Sequence, residues 1–299
     1  MLVLLAPGQG SQTPGMLTPW LPEPGVAALV ERWSQAIGLD LATLGTTATS
    51  AELQPTEVAQ PLLTAAALLS ARAADLRPDV VVGHSVGELS ALALAGVLSD
   101  DDAVALAAAR GAAMSAAAAA LPTGMAAVLG GELEQVQALA ELAGLEVATV
   151  NAPGQVVLGG PVSALDALEL PAGLRLRRLD VAGAFHTRAM APAAPALTGY
   201  LDRLTPHDAT VPVVANADGA VLTSGRELLD RLPGQLTRAV RFDLCLSALA
   251  GLGVTTAIEL APGGTLTSLV RRVLPDVQRV ALKSREDLTS LADLQGVPA

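Results

Sequence analysis

Short apolar runs alternate with longer stretches of helical spacing along the whole chain. Leu2 to Ala6 is an unbroken apolar run that stops at Pro7-Gly8, and Val80-Val81-Val82, after Pro78, is another. A strand covered on both faces shows no alternation, so both runs predict buried parallel strands. Helical patterns lie between them, at about Gly25 to Gly38 and about Glu57 to Leu76; Pro61 near the start of the second fits a helix's first turn. Leu89, Leu92 and Leu94 continue from the second strand at helical spacing, and Gly96 is placed to close that helix. Ser99 and Asp102 start the next one, with three aspartates where the helix dipole favours negative charge. Ala112 to Gly131 is uncharged over a span of bilayer length. It is mostly alanine and is broken by Pro122 and Gly124, so it reads as a helix end followed by a strand.

From Met125 to Gly183 the rhythm shortens. Strands are predicted at Met125 to Leu129, Leu145 to Asn151, Gln155 to Leu158 and Leu174 to Val181, with helices at Glu132 to Leu142 and Val162 to Leu170. That β-α-β-β-α-β order is the ferredoxin-like unit. Beyond it come a turn at Gly183 to Thr187 and a helix from near Met190. Strands at Val211 to Asn216 and Val254 to Leu260 enclose a helix at Glu227 to Leu232. After Pro262-Gly263-Gly264 a helix runs through Val273, and a strand at Arg279 to Leu282 closes the sheet. The fold class is therefore α/β. A large α/β-hydrolase-like domain with a mostly parallel sheet is expected over 1–122 and 187–299, with a ferredoxin-like α+β subdomain inserted over 123–186.

Composition sharpens this. Half of the 299 residues are apolar but only 2% are aromatic, so the core must be built from Ala, Val and Leu, which favours close helix-on-sheet packing. The net charge of −11 argues against nucleic acid or an anionic membrane as partner. Cys245 is the single cysteine, so there is no disulfide framework, and three histidines without a His/Cys cluster make a zinc site unexpected. Met1 to Ala6 lacks the basic residues of a signal peptide. The expectation is a soluble, cytoplasmic protein.

The candidate chemistry sits between the second strand and its helix. Gly83-His84-Ser85-Val86-Gly87 matches the G-x-S-x-G nucleophile elbow, in the strand-turn-helix setting that the motif requires. Such a turn exposes the serine hydroxyl at its tip, with free N–H groups at the helix start behind it to hold an oxyanion. A plainer reading is that Ser85 and Glu88 form a capping box and do no more than start a helix. Gly8-Gln9-Gly10-Ser11-Gln12 has no Gly-Lys-Ser/Thr, which excludes a nucleotide P-loop, but it presents two amides close to a backbone. Arg110 is the only charged residue between Ala103 and Gly131. An arginine among alanines needs a partner, either a distant carboxylate of the chain or one on a substrate. His186 follows Ser85 in the order that a base follows its nucleophile, although a lone histidine also serves as a structural residue. The side chain of His84 should diverge from the hydroxyl, and His207 reads as an exposed loop residue.

These motifs fall in the order and spacing of one family. The sequence resembles the malonyl-CoA:acyl carrier protein transacylases and the related acyltransferase domains of fatty acid and polyketide synthases. The likeness runs nearly end to end. It covers Gly8 to Gln12, Gln60-Pro61, Gly83 to Glu88, Arg110-Gly111, Asn151 to Val157, Ala184-Phe185-His186 and Asn216. It continues with Gln235-Leu236, Val240-Arg241-Phe242 and Glu259 to Gly263. Gly264, where a lysine is common, and Ala239, where a proline is usual, depart from the pattern away from the proposed chemistry.

The resemblance implies Ser85 as nucleophile and His186 as its base, oriented by the backbone carbonyl of Gln235. It implies an oxyanion hole from the N–H groups of Gln9 and Val86, Arg110 as the grip on the malonyl carboxylate, and Phe185 as a residue that closes room for a 2-methyl group. It implies malonyl-CoA and acyl carrier protein as substrates in fatty acid biosynthesis and no cofactor or metal; a monomer is expected. An acidic carrier would meet local positive charge at Arg175, Arg177, Arg178 and Arg188, or at Arg271 and Arg272. A malonyl-loading subunit of malonate decarboxylase shares this chemistry. A serine hydrolase would share Ser85 and His186 but needs an Asp or Glu as orienter.

Overall fold

The structure, a computed structural model, describes residues 1–289 and residue 291. Among these residues there are eleven strands: β1 (Leu2–Ala6), β2 (Val80–Gly83), β3 (Thr123–Leu129), β4 (Glu146–Ala152), β5 (Gln155–Pro161), β6 (Arg175–Leu179), β7 (Val213–Val214), β8 (Val221–Leu222), β9 (Val240–Arg241), β10 (Thr256–Glu259) and β11 (Gln278–Ala281). Six of them form one sheet in the order β11-β10-β1-β2-β7-β8, parallel throughout except for the β7–β8 edge pair.

The unbroken apolar runs are explained by what covers this sheet. Leu4 and Val81 point into one core, with Leu62, Leu89, Leu92 and Leu106. Val3, Leu5, Val80 and Val82 point into another, with Phe242, Leu246, Leu266 and Val270. Neither face meets water, so neither needs polar residues. On the first face the helices Thr56–Ala74 and Asp100–Ala118 lie side by side. A β-carbon on Gly111 would stand 2.7 Å from the Thr56 carbonyl oxygen, so the two backbones approach this closely only because residue 111 is glycine. That approach carries Gln60 on one helix to Arg110 on the other.

The other five strands form a second sheet, β6-β3-β5-β4-β9. Its first four are antiparallel in the ferredoxin-like order, over a core of their own built on Ala126, Val128, Val136, Leu158 and Leu165. The fifth strand, β9, was not predicted. It comes from later in the chain and runs parallel to β4, with Thr149 opposite Val240.

Three predicted elements differ. The helix placed at Val162 to Leu170 ends at Asp166, because Leu170 precedes Pro171 and is pushed out of helical geometry. The helix near Met190 begins as a 3-10 turn over Arg188–Ala193 and becomes α-helical only over Ala194–Leu201, since Pro192 has no N–H for the regular ladder. The strand placed at Val211 to Asn216 keeps only β7, because the N–H of Asn216 turns to the Glu88 carboxylate at 2.9 Å. No helix among the described residues is long and apolar enough to cross a membrane.

Candidate active site

β2 ends at Gly83 and the helix Gly87–Leu94 begins four residues later. A β-carbon on Gly83 would lie 2.0 Å from the Gly87 carbonyl carbon, and one on Gly87 would lie 2.1 Å from the Ala6 oxygen. The elbow therefore closes only with glycine at both ends. At its tip Ser85 has φ 55°, a conformation that side-chain-bearing residues adopt only when surroundings impose it. Asn216 imposes it here. Its Oδ1 accepts the Ser85 N–H at 2.7 Å, while its Nδ2 donates to the Gly83 carbonyl at 2.6 Å.

Ser85 Oγ lies 2.7 Å from His186 Nε2, and His186 Nδ1 lies 2.8 Å from the Gln235 carbonyl oxygen. A carbonyl can only accept, so Nδ1 carries the proton and Nε2 is left with a free lone pair facing the hydroxyl. Burial, and next the charge of Arg110, bring the His186 pKa down to about 3. The imidazole is thus neutral at neutral pH, in the form that can take the serine proton. The capping-box reading of Ser85 does not hold: its hydroxyl faces His186, and the Glu88 N–H bonds to the Ser85 carbonyl instead.

Arg110 is buried directly behind the serine, 1% exposed. One terminal nitrogen donates to Gln60 Oε1 at 2.8 Å; the other donates to Gln235 Oε1 at 2.8 Å and stands 3.4 Å from Ser85 Oγ. Its Nε has no acceptor among the described residues. Burial lowers its pKa to about 10, which leaves it charged. Among the described residues no carboxylate touches it. Glu88, whose own pKa burial pushes up to about 7, reaches it only through the Gln235 amide, which donates to Glu88 Oε2. A guanidinium held by two neutral amides can exchange one of them for an anion.

The Pro7–Gln12 loop packs on the elbow, with the Gly8 α-carbon against the His84 carbonyl. Neither the Gln9 nor the Val86 N–H has an acceptor among the described residues. Both residues stand beside Ser85, and Gln9 lines with it a cavity of about 450 Å³ between the elbow and one face of the second sheet. Phe185 and His186 line it too, whereas Arg110 is not on its wall. His84 turns away from the hydroxyl as expected, with Nε2 2.9 Å from Asn151 Oδ1 and its ring tilted on Phe242. His207 is exposed in its loop. Among the described residues no three His, Cys, Asp or Glu side chains gather as a metal would need.

All seven side chains or backbone groups singled out from the sequence therefore meet around one hydroxyl and its cavity. Two partners carried no expected role, Gln60 and Asn216, and Glu88, expected as the far end of a capping box, instead accepts from the Asn216 N–H and the Gln235 amide. Each is buried and polar, and Gln60 is the one long amide side chain buried in its helix, beside the small hydroxyls of Thr56, Thr64 and Ser70.

An α/β chain with a serine on an elbow, a neutral histidine on its hydroxyl and a guanidinium behind it defines an acyl-transfer enzyme that works through an acyl-serine. Comparison with known proteins narrows the class. Residues 3–291 match the acyl transferase domain family model. The malonyl CoA-acyl carrier protein transacylase of Mycobacterium tuberculosis is 48% identical over 98% of this chain and 100% of the relative. That of Bacillus subtilis is 34% identical over 96% of this chain and 95% of its own. The crystal structure of MCAT from Mycobacterium tuberculosis superimposes with a TM-score of 0.93, covering 97% of this chain and 99% of that one. An acyl-carrier-protein-S-malonyltransferase from Bartonella henselae, 28% identical, also gives 0.93 over 99% of both chains. The chain belongs to the acyl transferase family, among the malonyl CoA-acyl carrier protein transacylases.

Proposed function

We propose that the chain transfers a malonyl group from malonyl-CoA to the phosphopantetheine thiol of acyl carrier protein, through a malonyl ester on Ser85, in fatty acid biosynthesis. The observation that carries this reading is that Ser85 Oγ meets both a base at 2.7 Å and a buried cation at 3.4 Å. A base activates any acyl transfer, but a cation beside the nucleophile selects an acyl group that ends in a carboxylate.

Ser85 Oγ attacks the thioester carbonyl and its proton passes to His186 Nε2. The resulting oxyanion is held by the N–H groups of Gln9 and Val86, which have no competing acceptor among the described residues. The intermediate collapses with loss of the C–S bond, and the departing CoA sulfur takes the proton back from His186. The carrier's thiol then repeats these steps in reverse and frees the serine. The growing imidazolium is steadied by the Gln235 carbonyl dipole, which occupies the place on Nδ1 where a hydrolase would need a carboxylate. Arg110 exchanges an amide for the malonyl carboxylate. Phe185, 5% exposed on the cavity wall, narrows the space for a 2-methyl branch. We assign residues 1–122 and 187–299 to a catalytic domain and 123–186 to a smaller one that covers the site; the protein acts as a cytoplasmic monomer.

Intact-protein mass spectrometry tests the reading. Malonyl-CoA alone should leave one malonyl group on the wild type and none on Ser85→Ala, and acyl carrier protein should discharge it. An adduct that survives in Ser85→Ala would remove the serine from the mechanism. An adduct that the carrier fails to discharge would point to another acceptor, such as that of a malonate decarboxylase.

A further inference from the structure

The cavity wall opposite the elbow is one face of the second sheet. Met125 and Ala127 of β3, Gln155 and Val157 of β5, and Thr149 and Asn151 of β4 line it. Ala127, Val157 and Thr149 pair in a row across the three strands. Thr149 stands out within this row. β4 shifts register between Val147 and Thr149, an irregularity of the kind that re-aims side chains near functional sites. Thr149 is 5% exposed, and its hydroxyl has no hydrogen-bond partner among the described residues. Four buried side-chain groups are left unpartnered in this way, and Thr149 is the one whose residue lines the cavity. Valine would fill the same space without stranding a hydroxyl, so the fold gains nothing from threonine here. Two residues on, Asn151 spends its carbonyl on His84, and its NH₂ has no partner among the described residues.

We infer that the Thr149 hydroxyl is a hydrogen-bonding site for an amide of the pantetheine arm that both thioester substrates present to this cavity. The inference rests on the transfer proposed above. CoA and the carrier share the phosphopantetheine arm, whose pantetheine part, an uncharged chain of methylenes, methyls, one hydroxyl and two amides, must run away from Ser85 along the cavity. The wall matches it. Among the described residues no lysine or arginine lines the cavity, so the phosphates lie outside and the part of the arm along this wall is neutral. Met125, Ala127 and Val157 offer apolar surface to the hydrocarbon parts. A hydroxyl, which both donates and accepts, meets either end of an amide.

Thr149→Val tests this, with Thr149→Ser as the control that keeps the hydroxyl. Acylation is measured with malonyl-CoA and with a malonyl thioester of a simple alkanethiol, which has no amide. Thr149→Val should lower the ratio of kcat/KM for malonyl-CoA to that for the alkanethiol ester by about 3- to 10-fold. The loss should appear in KM, Thr149→Ser should restore most of it, and the valine variant's Tm should stay level or rise. An equal fall for both esters would show that Thr149 acts on the site's geometry, and an unchanged ratio would show that it touches neither; each overturns the inference. A lowered Tm would reveal a structural partner for the hydroxyl and overturn it too. If the wild type takes no malonyl group from malonyl-CoA, the failure lies with the proposed transfer itself, and that measurement is made first.

Discussion

Arg110→Ala tests most directly why this site carries a cation. In the resting structure the guanidinium is 1% exposed and donates to Gln60, Gln235 and, weakly, Ser85. No carboxylate among the described residues is bonded to it, so its loss breaks no ion pair there. The carboxylate of a bound malonyl group would instead be left in a buried, unpaired state. Breaking one side of a buried ion pair costs about 3–5 kcal/mol, or roughly 10²–10⁴ in kcat/KM for malonyl-CoA. Acetyl-CoA has no carboxylate to strand, and in the wild type it leaves Arg110 without an anion. The substitution also unpairs Gln60 Oε1 and Gln235 Oε1, at about 1–3 kcal/mol for each buried acceptor. It removes the charge that helps keep Glu88 ionised as well. Those losses lower Tm and slow both substrates alike, because Gln235 also orients His186. The informative quantity is therefore the ratio of malonyl to acetyl acylation, measured by adduct formation on a variant shown to be folded. That ratio should fall by at least about 10². A parallel fall in the two rates, with the ratio preserved, would refute the carboxylate grip.

Three further outcomes are expected. Folded His186 stays neutral down to about pH 3 while the unfolded chain's histidine protonates near 6.5, so unfolding takes up a proton in that window and the stability due to His186 falls as pH falls through it. The unfolding free-energy advantage of the wild type over His186→Gln, from denaturant titrations, should therefore shrink from pH 7 to pH 4.5, by up to about 1.4 kcal/mol per pH unit; a constant difference would mean that His186 titrates as in an open chain. Asn216→Ala strands the Ser85 N–H and the Gly83 carbonyl, at about 1–3 kcal/mol each, so denaturant midpoints and acylation rate should drop together; an unchanged midpoint would show that the elbow holds itself. Arg178 and Arg188 already pair with Asp166 and Glu146, whereas Arg175 and Arg177 are exposed on β6 with no carboxylate in reach among the described residues. Reversing the charge of Arg175 and Arg177 should raise KM for the carrier and spare acylation by malonyl-CoA, and equal carrier KM values would take docking elsewhere.

What the chain alone determined is what depends on neighbours in sequence. The apolar runs at β1 and β2 declared strands buried on both faces, and Gly83 and Gly87 around Ser85 declared a turn too tight for a β-carbon. Ser99 with three aspartates marked a helix start, because such signals are steric and local. Tertiary structure alone decided how buried polar groups pair. β9 is two residues long and has no period to read, yet it extends the small sheet beside Thr149. Asn216 looked like the end of a strand, and left it because Glu88 and the elbow offered its backbone and amide better partners. Arg110 announced the need for a partner, but not that two glutamines, 50 and 125 residues away, would hold it beside Ser85. Burial periodicity is a property of one segment and is written along it. Hydrogen-bond satisfaction inside a core is a property of pairs, and the pairs exist only once the sheets and helices have brought distant segments together.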